Sequence, residues 1–162
     1  MKKRAIFFDR DGVINSDEGL YYVFRKADFR LNPGVMAFMK EMAAREFLLV
    51  VISNQGGIAR GVYSKDETDS LHQIFLESCT REGIIVSEIY YCPHHNEVSA
   101  CLCRKPGTLM IEKALARFGI DPSRSYFIGD RETDRKAALA AGIQPVIIEP
   151  NSNLMDYLPH IK

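Results

Sequence analysis

Arg4-Ala5-Ile6-Phe7-Phe8-Asp9-Arg10-Asp11-Gly12 opens as an apolar run and breaks at once into two acids, a base and a glycine. An apolar run that is continuous rather than alternating is what a strand covered on both faces requires. Residues 4–8 form the first such run, and four more follow at 47–52 (FLLVVI), 87–91 (SEIYY), 125–129 (SYFIG) and 145–148 (PVII). Helical patterns separate them. Val35, Phe38, Met39 and Met42 keep the i, i+3, i+4, i+7 spacing after Pro33-Gly34, and Ser64-Lys65-Asp66-Glu67 reads as a capping box ahead of Leu71, Ile74, Phe75 and Cys79. Met110 to Phe118 predicts a third helix stopped by Gly119, and Thr133 to Ala141 a fourth stopped by Gly142. Residues 150–162 read as a loop with a short terminal turn. The alternation predicts a doubly wound α/β fold, a single parallel Rossmann-like sheet with helices on both faces.

Length and composition narrow the class. The 162 residues match one domain, 1–162, and 46% apolar with 26% charged residues is globular rather than disordered. Lys and Arg total 21, as do Asp and Glu, so there is no excess positive charge to hold a nucleic acid. No apolar run approaches the roughly eighteen residues of a membrane span, and the apolar stretch near Met1 is too short for a secretion signal. The expectation is a cytoplasmic protein without membrane or nucleic-acid partners and, with no assembly helix evident, a monomer. Cys92, Cys101 and Cys103 fall within twelve residues while Cys79 stands alone, a distribution that suits metal binding better than a disulfide framework.

In doubly wound sheets ligands bind beyond the carboxyl ends of the strands. There the sequence places Asp9-Arg10-Asp11-Gly12, Ser53-Asn54-Gln55-Gly56-Gly57 and Gly129-Asp130-Arg131-Glu132-Thr133-Asp134, with Arg104-Lys105-Pro106 ahead of the third helix. Carboxylates, a hydroxyl, a Gly-rich turn and a lysine suit a divalent cation and a phosphoryl group. A phosphate monoester repels nucleophiles by its own charge, so a carboxylate attacks it only where a hard cation such as Mg²⁺, held by Asp9 and Asp130, neutralises the oxygens. One Asp can accept the phosphoryl group covalently, and a second carboxylate must protonate the leaving alcohol and then activate water. Asp11, two residues on, fits that second task. Ser53 and the amides of Asn54, Gln55 and Gly56 offer donors to the phosphoryl oxygens, and Lys105 a positive charge.

These residues resemble the haloacid dehalogenase-like phosphatases. Phe8-Asp9-Arg10-Asp11-Gly12 is similar to their first motif, Ser53 to the second, Lys105 to the third, and Gly129-Asp130 with Asp134 to the fourth. The resemblance implies Asp9 as nucleophile, Asp11 as general acid and base, and Ser53 and Lys105 as phosphoryl holders. It also implies a Mg²⁺ site made by Asp9, the backbone carbonyl of Asp11 and Asp130, with Asp134 orienting it. Many members carry a cap domain over the site. Residues 12–52 and 54–104 must already supply core helices and strands, so no cap fits, and loops 12–31 and 92–104 are left to set specificity.

Loop 92–104 carries Cys92, His94, His95, Cys101 and Cys103, enough for a closed tetrahedral Cys₃His zinc site of structural type. Either imidazole could serve by spacing; the family pattern favours His94. Such a loop resembles a subfamily with two main branches, phosphatases of D-glycero-D-manno-heptose 1,7-bisphosphate and of histidinol phosphate. Ser53-Asn54-Gln55-Gly56-Gly57-Ile58-Ala59-Arg60-Gly61 is similar to the heptose branch. That likeness implies that Asp17, Glu18, Gly19 and Leu20 line the sugar site and that Arg104 and Arg131 contact a small phosphorylated substrate. Leu20 stands where tyrosine is commoner, Ser53 where threonine is commoner, and Gly-Asp-Arg-x-Thr-Asp fits both branches. Three rivals are a phosphoaspartate signalling domain, a zinc interaction module and a polynucleotide 3′-phosphatase. In the first the acceptor follows the third strand rather than the first; the second leaves the polar strand ends unexplained; the third lacks a basic stripe.

Overall fold

In the computed structural model, which describes residues 2–162, five parallel strands form one sheet in the order β3-β2-β1-β4-β5. They are β1 (Ala5–Phe8), β2 (Leu48–Asn54), β3 (Glu88–Cys92), β4 (Tyr126–Gly129) and β5 (Gln144–Ile147). Side chains alternate across β1 with period two. Ile6 and Phe8 face a cluster built from α1 (Val35–Ala44) and α2 (Lys65–Arg81), whereas Ala5 and Phe7 face α3 (Leu109–Phe118) and α4 (Glu132–Ala140). All four side chains are fully buried, which is why the run carries no polar position. β1 is thus the sheet's centre, and the chain turns from one half of the sheet to the other between β1 and β4, the switch point at which such sheets open a crevice.

The capping box that starts α2 is present, Ser64 Oγ accepting from Glu67 N and Glu67 returning to Ser64 N. Gly119, in the left-handed region at φ 63°, ends α3. Beyond one-residue shifts at element ends, two features differ from the sequence reading. β2 continues through Ser53 and Asn54, because these two pair with Tyr91 and Cys92 of β3. The Ser53 hydroxyl therefore sits on a strand and not on the loop after it. β3 and β5 lie at the sheet edges and are only partly covered, so full burial on both faces holds for the inner strands.

The C-terminal stretch does more than turn. Leu154–His160 forms a 3₁₀ helix against α1, with Leu154 and Ile161 buried in the same cluster as Phe8 and Phe38. Just before it, Asn151 reaches the first loop: its N–H donates to Gly12 O at 2.8 Å and its Oδ1 accepts from Asp17 N at 3.2 Å.

Candidate active site

Asp9 follows β1 directly, and its Oδ1 accepts from Arg10 N and from Lys105 Nζ, both at 2.8 Å. Lys105 is 3% exposed. Its ammonium also donates to Ile52 O at 2.9 Å and lies 2.7 Å from Asp134 Oδ1. Burial works against the charged amine, but Asp9 and Asp134 outweigh it and raise its pKa. Asn54 fixes the backbone that carries this lysine, accepting from Lys105 N at 2.9 Å and donating to Lys105 O at 3.1 Å. On the other side of β1, Asp134 Oδ2 accepts the N–H groups of Asp130 (3.2 Å) and Arg131 (3.1 Å) at the start of α4.

Asp9, Asp130 and Asp134 each place a carboxylate oxygen within 4.8 Å of the others. Burial, then Asp134, pushes Asp9 up to about 8 against the pull of Lys105; burial and Asp134 push Asp130 to about 6. Asp130 Oδ1 is buried without a hydrogen-bond partner. Crowded hard oxygens, one of them orphaned, are the donor set a divalent cation such as Mg²⁺ satisfies. Asp134, expected only to orient the site, contributes an oxygen to this cluster. Gly12, at φ 83°, sits so close to the Asp130 carboxylate that any Cβ would collide with it.

The Asp11 carboxylate points into the same cavity as Asp9, about 710 Å³ in volume. It is held from three sides. Arg10 grips it through Nε (3.1 Å) and Nη2 (2.9 Å), Asn15 Nδ2 donates at 2.9 Å, and Gln55 Nε2 at 3.0 Å. Arg10 is itself buried and anchored by Val23 O (2.6 Å) and His72 Nε2 (3.3 Å). Burial, with Arg10 adding to it, lowers His72 to about 4 and keeps that ring neutral. Gln55 also donates to Ser53 Oγ at 2.8 Å and accepts from the Tyr63 hydroxyl at 2.5 Å. Sequence reasoning missed Arg10, Tyr63 and His72. A signal for His72 existed, since Thr68, His72, Phe75 and Cys79 share one buried helical stripe.

The other expected site residues are placed as follows. Ser53 is buried under the Gln55 amide and does not itself line the cavity; Asn54, Gln55, Gly56, Arg104 and Arg131 do. Of residues 17–20 only Leu20 lines it. Asp17 turns to Arg131 at 3.7 Å, while Glu18 and Gly19 are exposed outside it. The wall that loop 12–31 does supply is aromatic: Tyr21 meets Tyr22 edge-on, and Tyr22 and Phe24 pack on Tyr63 with centroids 5.5 and 5.2 Å away.

Loop 92–104 brings Cys92, His94, Cys101 and Cys103 together, their ligand atoms within 4.8 Å of one another and His94 offering Nδ1. The sulfurs are unbridged, at 3.0 Å between Cys92 and Cys103 and 3.7 Å between Cys92 and Cys101. Three soft sulfurs and one imidazole around a common point fit tetrahedral zinc. His95 is outside the cluster. Among the described residues no helix is long and apolar enough to cross a membrane.

The HAD-hydrolase-like family model matches residues 102–154. The chain is 38% identical over 154 residues to the D-glycero-beta-D-manno-heptose-1,7-bisphosphate 7-phosphatase of Haemophilus ducreyi, covering 91% of this chain and 84% of that protein. It is 39% identical over 148 residues to the corresponding alpha-anomer phosphatase of Campylobacter jejuni, covering 91% and 83%. The D,D-heptose 1,7-bisphosphate phosphatase of B. bronchiseptica, solved with magnesium and phosphate, superposes with a TM-score of 0.85 at 27% identity, covering 97% of this chain and 86% of that one. A five-stranded parallel sheet with paired aspartates after β1, together with relatives matched over more than four-fifths of their length, makes this chain a member of the haloacid dehalogenase-like phosphatases, in the group of the heptose-bisphosphate phosphatases.

Proposed function

We propose that this protein is a Mg²⁺-dependent phosphomonoesterase that removes the 7-phosphate of D-glycero-D-manno-heptose 1,7-bisphosphate by way of an aspartyl-phosphate on Asp9. The observation that carries the reading is the placement of Asp9 and Asp11 in one cavity with Lys105 Nζ 2.8 Å from the first carboxylate. The substrate follows from the relatives, whose names all specify it.

An Asp9 oxygen attacks phosphorus while the bond to the sugar oxygen breaks, and Asp11 gives that oxygen its proton. Water then attacks the phosphoryl-Asp9 bond, and Asp11, now a carboxylate, takes the water's proton. Inorganic phosphate leaves and Asp9 is restored. Lys105 stays on Asp9 throughout and offsets charge on the transferring oxygens, as do the amides after β2, with the Ser53 hydroxyl beneath them accepting from Gln55 Nε2 at 2.8 Å. Asp9, Asp130 and the Asp11 carbonyl would hold Mg²⁺, with Asp134 beside them; the ion supplies positive charge that lets a carboxylate approach a phosphate dianion. Cys92, His94, Cys101 and Cys103 would hold a structural Zn²⁺. Four protein ligands leave no open position, so with zinc bound these four residues would fix the loop that ends in Arg104 and Lys105.

Phosphate release with Mg²⁺ from heptose 1,7-bisphosphate and from histidinol phosphate, with Asp9→Asn as blank, tests the reading. A preference of about a hundredfold for the bisphosphate, about 2.7 kcal/mol of discrimination, is expected. The reverse preference would overturn the substrate, and turnover by Asp9→Asn above a few per cent would overturn the nucleophile.

A further inference from the structure

Over Gly56 the cavity wall is made by His95 and Arg104. A Cβ on Gly56 would stand 2.8 Å from His95 Cδ2 and 2.9 Å from Arg104 Nη1, so only a glycine lets the imidazole and the guanidinium pack this close to the backbone. His95 is 7% exposed, lines the cavity and takes no part in the chemistry above. Its Nδ1 accepts the Glu97 backbone N–H at 3.2 Å, and the Glu97 carboxylate stands off at 3.9 Å, beyond hydrogen-bond reach. A ring nitrogen that accepts an N–H carries no proton, so the ring proton resides on Nε2, the atom bonded to Cδ2. Nε2–H has no protein partner among the described residues. Arg104 spends Nη1 on His94 O at 3.2 Å and keeps its other donors.

This pair lies past the ends of β2 and β3, whereas Asp130 and Arg131 lie past β4, on the far side of Asp9. With strands spaced about 4.8 Å apart, it stands one to two strand widths, roughly 5–10 Å, from the nucleophile. We propose that His95 is a specificity-determining residue: its Nε2–H, beside Arg104 over Gly56, donates to the phosphate that the substrate retains after hydrolysis. The inference rests on the bisphosphate reading above and adds to it a neutral, directional donor that a monoester lacking the second phosphate leaves unpaired. A cation alone attracts any anion; a fixed N–H selects where its oxygen lies.

The test uses His95→Phe, which keeps a flat ring and removes the donor, and His95→Gln, which returns an N–H near the Nε2 position. Each is assayed for kcat and KM on heptose 1,7-bisphosphate and on p-nitrophenyl phosphate, with bound zinc measured. His95→Phe is expected to raise KM for the bisphosphate about tenfold more than for p-nitrophenyl phosphate, and His95→Gln to recover part of that gap. Equal losses on both substrates, or no gap, overturn the role. Should His95→Phe lose zinc or fail to fold, ¹⁵N spectra of the unaltered enzyme decide: the His95 Nε2 signal moves on adding the 1-phosphate product and not on adding inorganic phosphate, and an unmoved signal overturns the proposal. A wild-type enzyme with no bisphosphate preference would refute the substrate reading instead, an outcome distinct from a preference that survives His95→Phe.

Discussion

Gln55 Nε2 lies 3.0 Å from Asp11 Oδ2, and the Tyr63 hydroxyl on Gln55 Oε1 decides which end of the amide faces the acid. Without that hydroxyl the amide can turn its oxygen toward the carboxylate, replacing a donor by a repulsive acceptor. Tyr63→Phe is therefore expected to lower kcat roughly three- to tenfold, the worth of one neutral hydrogen bond, with a smaller change in KM. Steady-state kinetics check it; a change confined to KM would place Tyr63 in substrate binding alone.

Metal and pH are coupled through the carboxylate cluster. Asp9 is pushed up to about 8 and Asp130 to about 6 from an ordinary 3.8, so the metal-free folded state holds protons that the unfolded chain releases. Their contribution to stability is then present at low pH and lost as pH rises from about 4 to 8. Mg²⁺ needs both groups ionised. Thermal melts are expected to show a larger gain from Mg²⁺ at pH 8 than at pH 5.5, with proton release on titrating the metal near pH 7. A gain independent of pH would contradict the cluster.

His72 carries the opposite sign. Burial and Arg10 lower it from 6.5 to about 4, so its contribution is present above pH 6.5 and lost as pH falls toward 4. The full linkage is on the order of 3 kcal/mol. His72→Gln keeps a polar partner for Arg10 and removes the titration. Its melting temperature relative to wild type is expected to improve as pH falls from 7 to 4.5, and a constant difference across that range would count against it.

Removal of zinc is expected to reach the chemistry indirectly. Cys103 is followed immediately by Arg104 and Lys105, and Lys105 Nζ is the cation on Asp9. Cys101→Ser should bind zinc far more weakly and lose activity on every phosphate ester, p-nitrophenyl phosphate included. Metal analysis beside kinetics checks this: full activity in a zinc-free preparation would show that the loop holds its shape unaided.

The strands and the polar ends that carry chemistry are legible because each is local: an apolar run, then a break. Asp9, Asp11, Lys105 and Asp130 stand out because each follows a strand or precedes a helix and together they fall in one order along the chain. The support around them is not local. Arg10 meets His72 across 62 positions and Gln55 meets Asp11 across 44, so no short window contains both partners. The extension of β2 to Asn54 is likewise set by pairing with β3, and Ser53, polar and followed by Asn54 and Gln55, carries no apolar signal of its own. The contact of Asp17 with Arg131 is non-local too, since Arg131 follows β4.

Asn151 clasps Gly12 and Asp17, and the bond to Asp17 spans 134 positions of the chain. On a ribosome β1 and the loop after it emerge early, yet the residue that pins that loop arrives only after all five strands have been made. The bonds that pin this loop can therefore close only once the last strand has been synthesised, and a chain cut before Asn151 lacks them.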